Sequence, residues 1–381
     1  MSLLVSVVIP ACNEASVIDI PIKRAQKAFQ TYNYSGEILI MDSSTDRTPE
    51  IARSLGCRVI PTPKKGLGKA YIDAESHTKG KYVVMGDADG TYDFMEMNRF
   101  IEKLEQGYDF VMGTRLKGSI HRHAMPWSHR YIGTPLLTFF INLLFRANIS
   151  DCNSGLRALT KEAYQRIQLM SWGWEYASEM VIKAKIAGLK MTEVPVSLLP
   201  DSRGREPLLS PWKAGYTNLR VIFLLAADRL FIKTGLGVLI AGTAIMLSQL
   251  FGPISIQGVY FGMYYLFLGL ILSFSGISLL QMGILTRMFS FIKGFHNTKW
   301  IRHLKACFSF EKGLLVSILF GSIGIGFLIL ALLRWLKTGE ISNDEMKLGL
   351  YSVYGIGLAI QGLIFSFSYY LFDLSDQYKN E

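Results

Sequence analysis

Residues 81–93 read KYVVMGDADGTYD. The run 81–85, followed by Gly86, has the length and composition of a buried strand. Asp87 and Asp89 follow it one residue apart, and Gly90 permits a tight turn, so two carboxylates leave the end of the strand together. Hard divalent cations take oxygen ligands, commonly one or two carboxylates with substrate phosphates completing the shell, so this arrangement can hold Mg²⁺ or Mn²⁺ against a diphosphate. Asp93 is a third acid within reach. A D-x-D pair alone serves equally as a solvated turn or a helix cap. Its place at a strand end favours the metal.

On either side of this string, short runs rich in Val and Ile recur at residues 3–9, 37–41, 57–60 and 109–112, and helix-like spacing fills 17–31, 46–55, 67–78 and 94–106. Such alternation predicts an α/β domain with a mainly parallel sheet covered by helices on both faces. Ligands of these sheets bind at the carboxyl ends of the strands, which directs attention to residues 10–14, 42–46, 64–69, 86–93 and 113–115. The string GLGKAY at 66–71 is neither of the common glycine-rich phosphate loops, because Ala70 follows the lysine and Tyr71 occupies the third glycine's place. What remains is a basic helix entrance, with Lys64, Lys65 and Lys69, that could attract a diphosphate or be a plain solvated turn.

Composition changes near residue 230. Apolar spans at about 234–251, 259–285, 314–333 and 349–372 each meet the roughly 20-residue requirement for crossing a bilayer, which predicts four transmembrane helices. The segment joining the second and third carries Arg287, Lys293, Lys299, Arg302, Lys305 and Lys312 against Glu311 alone, and Arg203, Arg205, Lys213, Arg220, Arg229 and Lys233 precede the first. Positive loops stay in the cytoplasm, so the N-terminal domain and both termini are expected on the cytoplasmic face of the inner or plasma membrane. No basic leader precedes residues 3–9, so a cleaved signal peptide is not expected. Half of the 381 residues are hydrophobic and 18% are charged, which excludes a disordered chain. The net charge of +10 suits an anionic partner: nucleic acid, a phosphorylated substrate or a membrane face. The four cysteines are scattered without C-x-x-C spacing, which indicates neither a zinc cluster nor a disulfide framework.

VVIPACNE at the first strand, MDSSTD at the second, then KGLGKA, GDADG, VMGTR and DCNSGLRAL occur in an order that resembles family 2 glycosyltransferases of the GT-A fold, specifically the polyprenyl-phosphate (dolichyl-phosphate) glycosyltransferases, over roughly residues 4–230. Bacterial membrane proteins described as dolichyl-phosphate hexose synthase-like are similar also in DSRGREPLLSPWKAGYTNLR, residues 201–220. Together with the change of composition near 230, the resemblance divides the chain into a catalytic domain over 1–212, an interfacial linker over 213–233 and a membrane domain over 234–381. It implies donor contacts from Pro10, Asn13, Glu14, Asp42, Lys69, Ala88, Ser154 and Arg157, a metal at Asp87 and Asp89, and a basic lid carrying Arg203 and Arg205. Arg115, Arg130 and Thr134 match positions that bind a lipid phosphate. Met41, Asp42 and Ser43 depart from the family's two acids and glycine, and Glu206 stands where relatives carry proline.

The expected reaction is inverting transfer of a hexose from a nucleotide sugar of the UDP-glucose or GDP-mannose class to polyprenyl phosphate, with no nucleic acid involved. A phosphate monoester has a second pKa of about 6 and is largely ionised at neutral pH, so it attacks without a strong base. A hydroxyl acceptor, as in a glycolipid synthase, would need one, for which Asp151 is the candidate. A transporter or flippase with a regulatory nucleotide-sugar domain is the rival from another class. No acid falls within the four apolar spans, which weighs against a proton-coupled pump. Residues 135–145, too short to span, and 216–230 are expected to lie in the membrane interface, or else as buried helices. Trp172 and Trp174 could line the pocket but are assigned to packing, and Glu175 and Glu179 could face sugar or solvent.

Overall fold

A computed structural model describes residues 4–203, 211–248, 254–256, 259–295 and 299–377. The chain divides into two units, Met1–Phe223 and Leu224–Glu381.

The first unit is built on seven strands: β1 (Val5–Ala11), β2 (Gly36–Asp42), β3 (Arg58–Pro61), β4 (Tyr82–Met85), β5 (Phe110–Thr114), β6 (Arg157–Thr160) and β7 (Met191–Pro195), in the spatial order β3-β2-β1-β4-β6-β5-β7. All neighbours are parallel except at β6, which runs antiparallel to both β4 and β5. The central strands β1 and β4 are almost wholly apolar because helices cover the sheet on both faces. Thus β4 is buried at all four positions, and β1 at six of its seven. Helix α1 (Asp19–Thr31) buries Pro21, Ile22, Ala25 and Ala28. Helices α2 (Thr48–Ser54) and α3 (Leu67–His77) follow, and α4 (Met97–Glu105) buries Met97, Phe100, Ile101 and Leu104. The stripe in α4 repeats at three and four residues, the spacing of a helix with one face on a sheet. Residues of β1, β2, β4, α1, α2 and α4 form one core.

The five expected strands and four helices lie within about two residues of their sequence positions. Strands β6 and β7 were not expected. The first opens on an arginine whose burial depends on tertiary partners, and the second carries Thr192 and Glu193 among its apolar residues. After β5 a π-helical turn (His129–Gly133) leads into α5 (Thr134–Phe145), and α6 (Lys161–Ile167), α7 (Tyr176–Ile186) and α8 (Pro211–Leu225) follow. Of α5, the short apolar segment, one side buries Leu137, Ile141 and Leu144 while Leu136, Phe139 and Leu143 are exposed. It is both a core helix and an apolar surface.

The second unit begins with a π-helical turn (Asp228–Lys233) and contains α9 (Thr234–Ser248), a hairpin of β8 (Ile254–Ile256) and β9 (Val259–Phe261), α10 (Met263–Ile292), α11 (Lys299–Cys307), α12 (Phe310–Thr338) and α13 (Asn343–Gln377). Among the described residues four helical stretches are long and apolar enough to cross a membrane, the first of them Asp228–Ser248. The chain is therefore a multi-pass membrane protein. The second span starts at Met263 because 259–261 pair as a strand, and the helices run past the apolar boundaries read from sequence. That extension alters one expectation. Asp228 and Arg287, both outside the sequence-derived spans, lie in membrane-length helical stretches and face each other: Arg287 Nε and Nη2 donate to Asp228 at 2.7 and 2.6 Å, and Nη2 also reaches Leu225 O at 3.2 Å. Arg287 is buried, and Asp228 keeps about a third of its side chain exposed. Removing one member of a buried pair leaves the other charge uncompensated. Asp228→Ala should lower the stability of the detergent-solubilised protein by roughly 2 kcal/mol, less than for a fully buried pair because the carboxylate side is open to solvent. Asp228→Leu with Arg287→Met should lose less in the same thermal-unfolding measurement.

Candidate functional site

Among the described residues of the first unit, two neighbouring cavities share Leu67, Asp87 and Trp174. The first runs along the carboxyl ends of β1, β2 and β4, lined among others by Pro10, Cys12, Glu14, Met41, Ser43, Lys64, Ala88, Asp89 and Arg203. The second is lined by Arg115, His129, Thr134, Asn153, Tyr176 and Asn218.

Loops after β1 and β2 are stitched together. Asn13, in the left-handed region at φ 58°, accepts from Thr45 N at 2.8 Å and its own N–H donates to Ser44 Oγ at 2.8 Å. Glu14 N donates to Thr48 Oγ1 at 2.8 Å. Asn13 thus builds the loop that presents Pro10 and Glu14, and is not itself a cavity residue. Asp42 is buried and accepts from Ser44 N at 3.3 Å, while its neighbours Met41 and Ser43 line the cavity. Alternate residues of a strand face opposite ways, which accounts for the exchange. Lys69 pairs with Asp73 one helical turn on, and Lys64 lines the cavity instead.

The two acids after β4 are held differently. Asp89 Oδ1 accepts from Thr91 N at 3.0 Å and Thr91 Oγ1 at 2.6 Å, and Oδ2 lies 3.4 Å from Arg203 Nη2. Burial first, and the Asp89 carboxylate second, push Asp87 up to about 7, against the opposing charges of Arg115, Arg203 and Arg157. Asp93 caps the turn Phe94–Glu96 by accepting from Met95 N at 3.0 Å, a structural use of the third acid. Among the described residues no group of three or more His, Cys, Asp or Glu could hold a metal. The two carboxylates fit a divalent cation that takes its remaining oxygens from substrate, and a cation would supply the positive charge that the ionised form of Asp87 lacks.

Gly155 is required here by contact. A Cβ on it would come 2.3 Å from Asp87 Oδ2 and 2.9 Å from the Tyr92 ring, and its N–H donates to Tyr92 Oη at 2.7 Å. The rest of the D-x-x-S-G-x-R string supports this glycine from beneath. Arg157 is fully buried, and donates to Ser154 O at 2.8 Å, Ala177 O at 2.9 Å and Cys152 O at 2.8 Å. It therefore organises the loop, in place of the expected donor contact. Ser154 is likewise fully buried and lines neither cavity. Asp151, also buried, takes Arg115 Nε and Nη2 at 2.7 and 2.8 Å, Arg115 N at 3.0 Å and Asn153 N at 3.1 Å. Burial pushes this carboxyl up, but the charge and hydrogen bonds of Arg115 prevail and hold it below the usual carboxylate range. Asp151 thus orients Arg115, and its oxygens are committed, which removes it as a general base.

The π-helical turn decides which residues face the second cavity. Its closing N–H, at Thr134, bonds to His129 O, so residues five apart share a face and His129 stands with Thr134. In an α-helix the partner of Thr134 would be Arg130, four residues back. Arg130 instead is exposed, 5.4 Å over the ring of Tyr131. Burial, then the charge of Arg115, lowers the pKa of His129. Arg203 bonds Asp201 at 2.6 Å and lies 3.4 Å from Glu14 as well as from Asp89, at the mouth of the first cavity. Arg205 lies outside the described residues. Sequence reasoning did not find His129, Tyr176 or Asn218, which no motif marks, and assigned Trp174 to packing. Lys64 was within the basic string it had singled out.

The sequence profile described as glycosyl transferase family 2 matches residues 6–168, and that described as the glycosyltransferase family 2 C-terminal transmembrane region matches residues 284–373. A low-salt glycan biosynthesis hexosyltransferase, Agl6, of Haloferax volcanii is 33% identical over 92% of this chain and 87% of its own length. A dolichyl-phosphate hexose transferase of the same organism is 32% identical over 47% of this chain and 76% of its own. A dolichol-phosphate mannosyltransferase of Pyrococcus furiosus is 30% identical over 58% and 63%.

Two outcomes follow from this geometry. An acid whose pKa is raised on folding favours the native state below its unfolded pKa, near 4, and loses that contribution as pH rises through the folded value, about 7. Adding Mg²⁺ or Mn²⁺ should therefore raise the thermal midpoint at pH 8, where Asp87 is ionised, and far less at pH 5.5, and Asp87→Asn should abolish the difference. Gly155→Ala should displace the Asp87 carboxylate and weaken the metal-dependent shift by about tenfold in metal concentration, a loss near 1.4 kcal/mol.

Proposed function

The chain belongs to glycosyltransferase family 2, and from that premise we propose that it moves a hexose from a nucleoside diphosphate sugar to a polyprenyl phosphate at the cytoplasmic face of the membrane, with inversion at the anomeric carbon. The observation that carries this reading is the pair of cavities meeting at Asp87. The first offers what a nucleotide diphosphate needs: strand-end loops, Lys64 and Arg203, and two acids for a divalent cation. The second offers Arg115, His129 and Thr134 for a phosphate, in a unit whose surface exposes Trp127, Tyr131, Ile132, Leu136, Phe139 and Leu143. A run of exposed aromatic and aliphatic side chains suits the headgroup region of a bilayer. The likeness to a dolichyl-phosphate hexose transferase supports the same acceptor class.

A phosphate oxygen of the acceptor attacks the anomeric carbon as that carbon's bond to the diphosphate breaks, and the nucleoside diphosphate leaves with the negative charge. Arg115, fixed by Asp151, orients the attacking phosphate, and Arg203 meets the diphosphate from the mouth of the cavity. A divalent cation held by Asp87 and Asp89 would stabilise the charge on the leaving group. An ionised phosphate needs no base, consistent with an Asp151 wholly engaged by Arg115. A hydroxyl acceptor would require a base that Asp151 is not free to supply. The cluster of Lys293, Lys299, Arg302, Lys305 and Lys312 supports the cytoplasmic orientation.

With purified full-length protein, polyprenyl phosphate, Mg²⁺ or Mn²⁺ and radiolabelled UDP-glucose or GDP-mannose, label should enter the lipid extract, and chelation should stop it. Asp89→Asn should lower the rate by at least about a hundredfold. Label appearing in diacylglycerol but not in polyprenyl phosphate would overturn the acceptor.

A further inference from the structure

Taking the transfer reading as its basis, we infer that the indole of Trp174 is the platform on which the donor's sugar ring lies at the meeting point of the two cavities. The sugar is the one group that both reactants bond in turn, so it must sit where donor and acceptor spaces join. Only Leu67, Asp87 and Trp174 line both among the described residues. Asp87 is committed to charge and Leu67 is a half-buried helix residue. Trp174 keeps 44% of its surface exposed where the two cavities meet. A pyranose presents apolar C–H groups on its faces and hydroxyls at its edge, and a flat aromatic ring buries the former while leaving the latter free to hydrogen-bond.

The loop that carries it is immobilised. Glu179, fully buried, accepts from Met170 N at 2.9 Å and Ser171 N at 2.7 Å, and Glu175 accepts from Gly173 N at 3.2 Å. The start of α3 lies directly against the same loop: Lys69 N donates to Trp172 O at 3.1 Å, and a Cβ on Gly68 would stand 2.2 Å from Ser171 O. These bonds fix the backbone leading into Trp174, and Trp174 O accepts from Ala177 N at 3.2 Å on its other side, so the backbone that carries the ring is set before the sugar arrives, which lowers the ordering cost at the moment of binding. The two acids that could have faced the sugar, Glu175 and Glu179, are spent on holding this loop. Trp172 is equally exposed but lines neither cavity and lies under Lys65, 5.2 Å from its ring, which makes it a matched control.

The test uses full-length protein in detergent with Mg²⁺, comparing wild type, Trp174→Phe, Trp174→Ala and Trp172→Ala. Calorimetric binding of UDP and GDP is measured beside UDP-glucose and GDP-mannose, with kcat and donor KM for transfer to polyprenyl phosphate. Trp174→Ala should bind the nucleoside diphosphates within about twofold of wild type, lose the additional affinity of the sugar nucleotide, and fall about tenfold in kcat, the effect of one lost ring contact. Trp174→Phe should retain most of both, and Trp172→Ala should match wild type. Trp174→Ala with unchanged sugar-nucleotide affinity, kcat and KM, or one that lost UDP and GDP binding equally, would overturn the platform. Wild type that bound sugar nucleotide but never glycosylated polyprenyl phosphate would instead overturn the acceptor reading, while the binding comparison would still decide the role of Trp174.

Discussion

A carboxyl group buried beside a second carboxylate is unfavourable when ionised unless positive charge compensates it, and the N-terminal unit is arranged around that demand at Asp87. Three arginines approach it in different capacities. Arg157 lies beneath, bonded to three carbonyls of the loop that carries Gly155. Arg115 is held to one side by Asp151, and Arg203 spans Asp89, Glu14 and Asp201 at the cavity mouth. Even so Asp87 remains raised, because desolvation and Asp89 outweigh all three. The residual demand for positive charge is what suits the pair to the divalent cation proposed for it.

That demand also explains why so much of the surrounding sequence is structural. Gly155 must lack a side chain because the Asp87 carboxylate occupies the space. Tyr92 is fixed by the Gly155 N–H, and Asp151 spends four hydrogen bonds on Arg115 and its own loop. Residues that a family motif groups as one string therefore divide by depth: those at the surface of the cleft can touch ligand, and those one layer down hold the first group in place. Arg157 and Ser154 belong to the lower layer, as does Asn13 in the loop after β1.

The membrane unit follows a different logic. Hydrocarbon gives no hydrophobic reward for bringing helices together, so specific contacts carry the association. The Asp228–Arg287 pair is one of them, joining the turn that opens the first span to the end of the second.

The sequence by itself determined the α/β class, the order of five strands, the D-x-D pair at a strand end and four membrane-length helices, because each is written in local periodicity, length and charge. It also carried the family, through the order of six short motifs. Tertiary structure alone decided which side chains reach the cleft. Strand alternation took Asp42 out of it and brought in Met41 and Ser43. A five-residue helical turn exchanged Arg130 for His129, and burial turned Arg157 from a ligand candidate into a support. The antiparallel β6 depends on partners far apart in the chain, and Trp174 became legible only when both cavities could be seen to share it. Local sequence fixes how each segment folds and which groups are available, whereas the direction a side chain takes is set by packing against segments distant in sequence, and function depends on that direction.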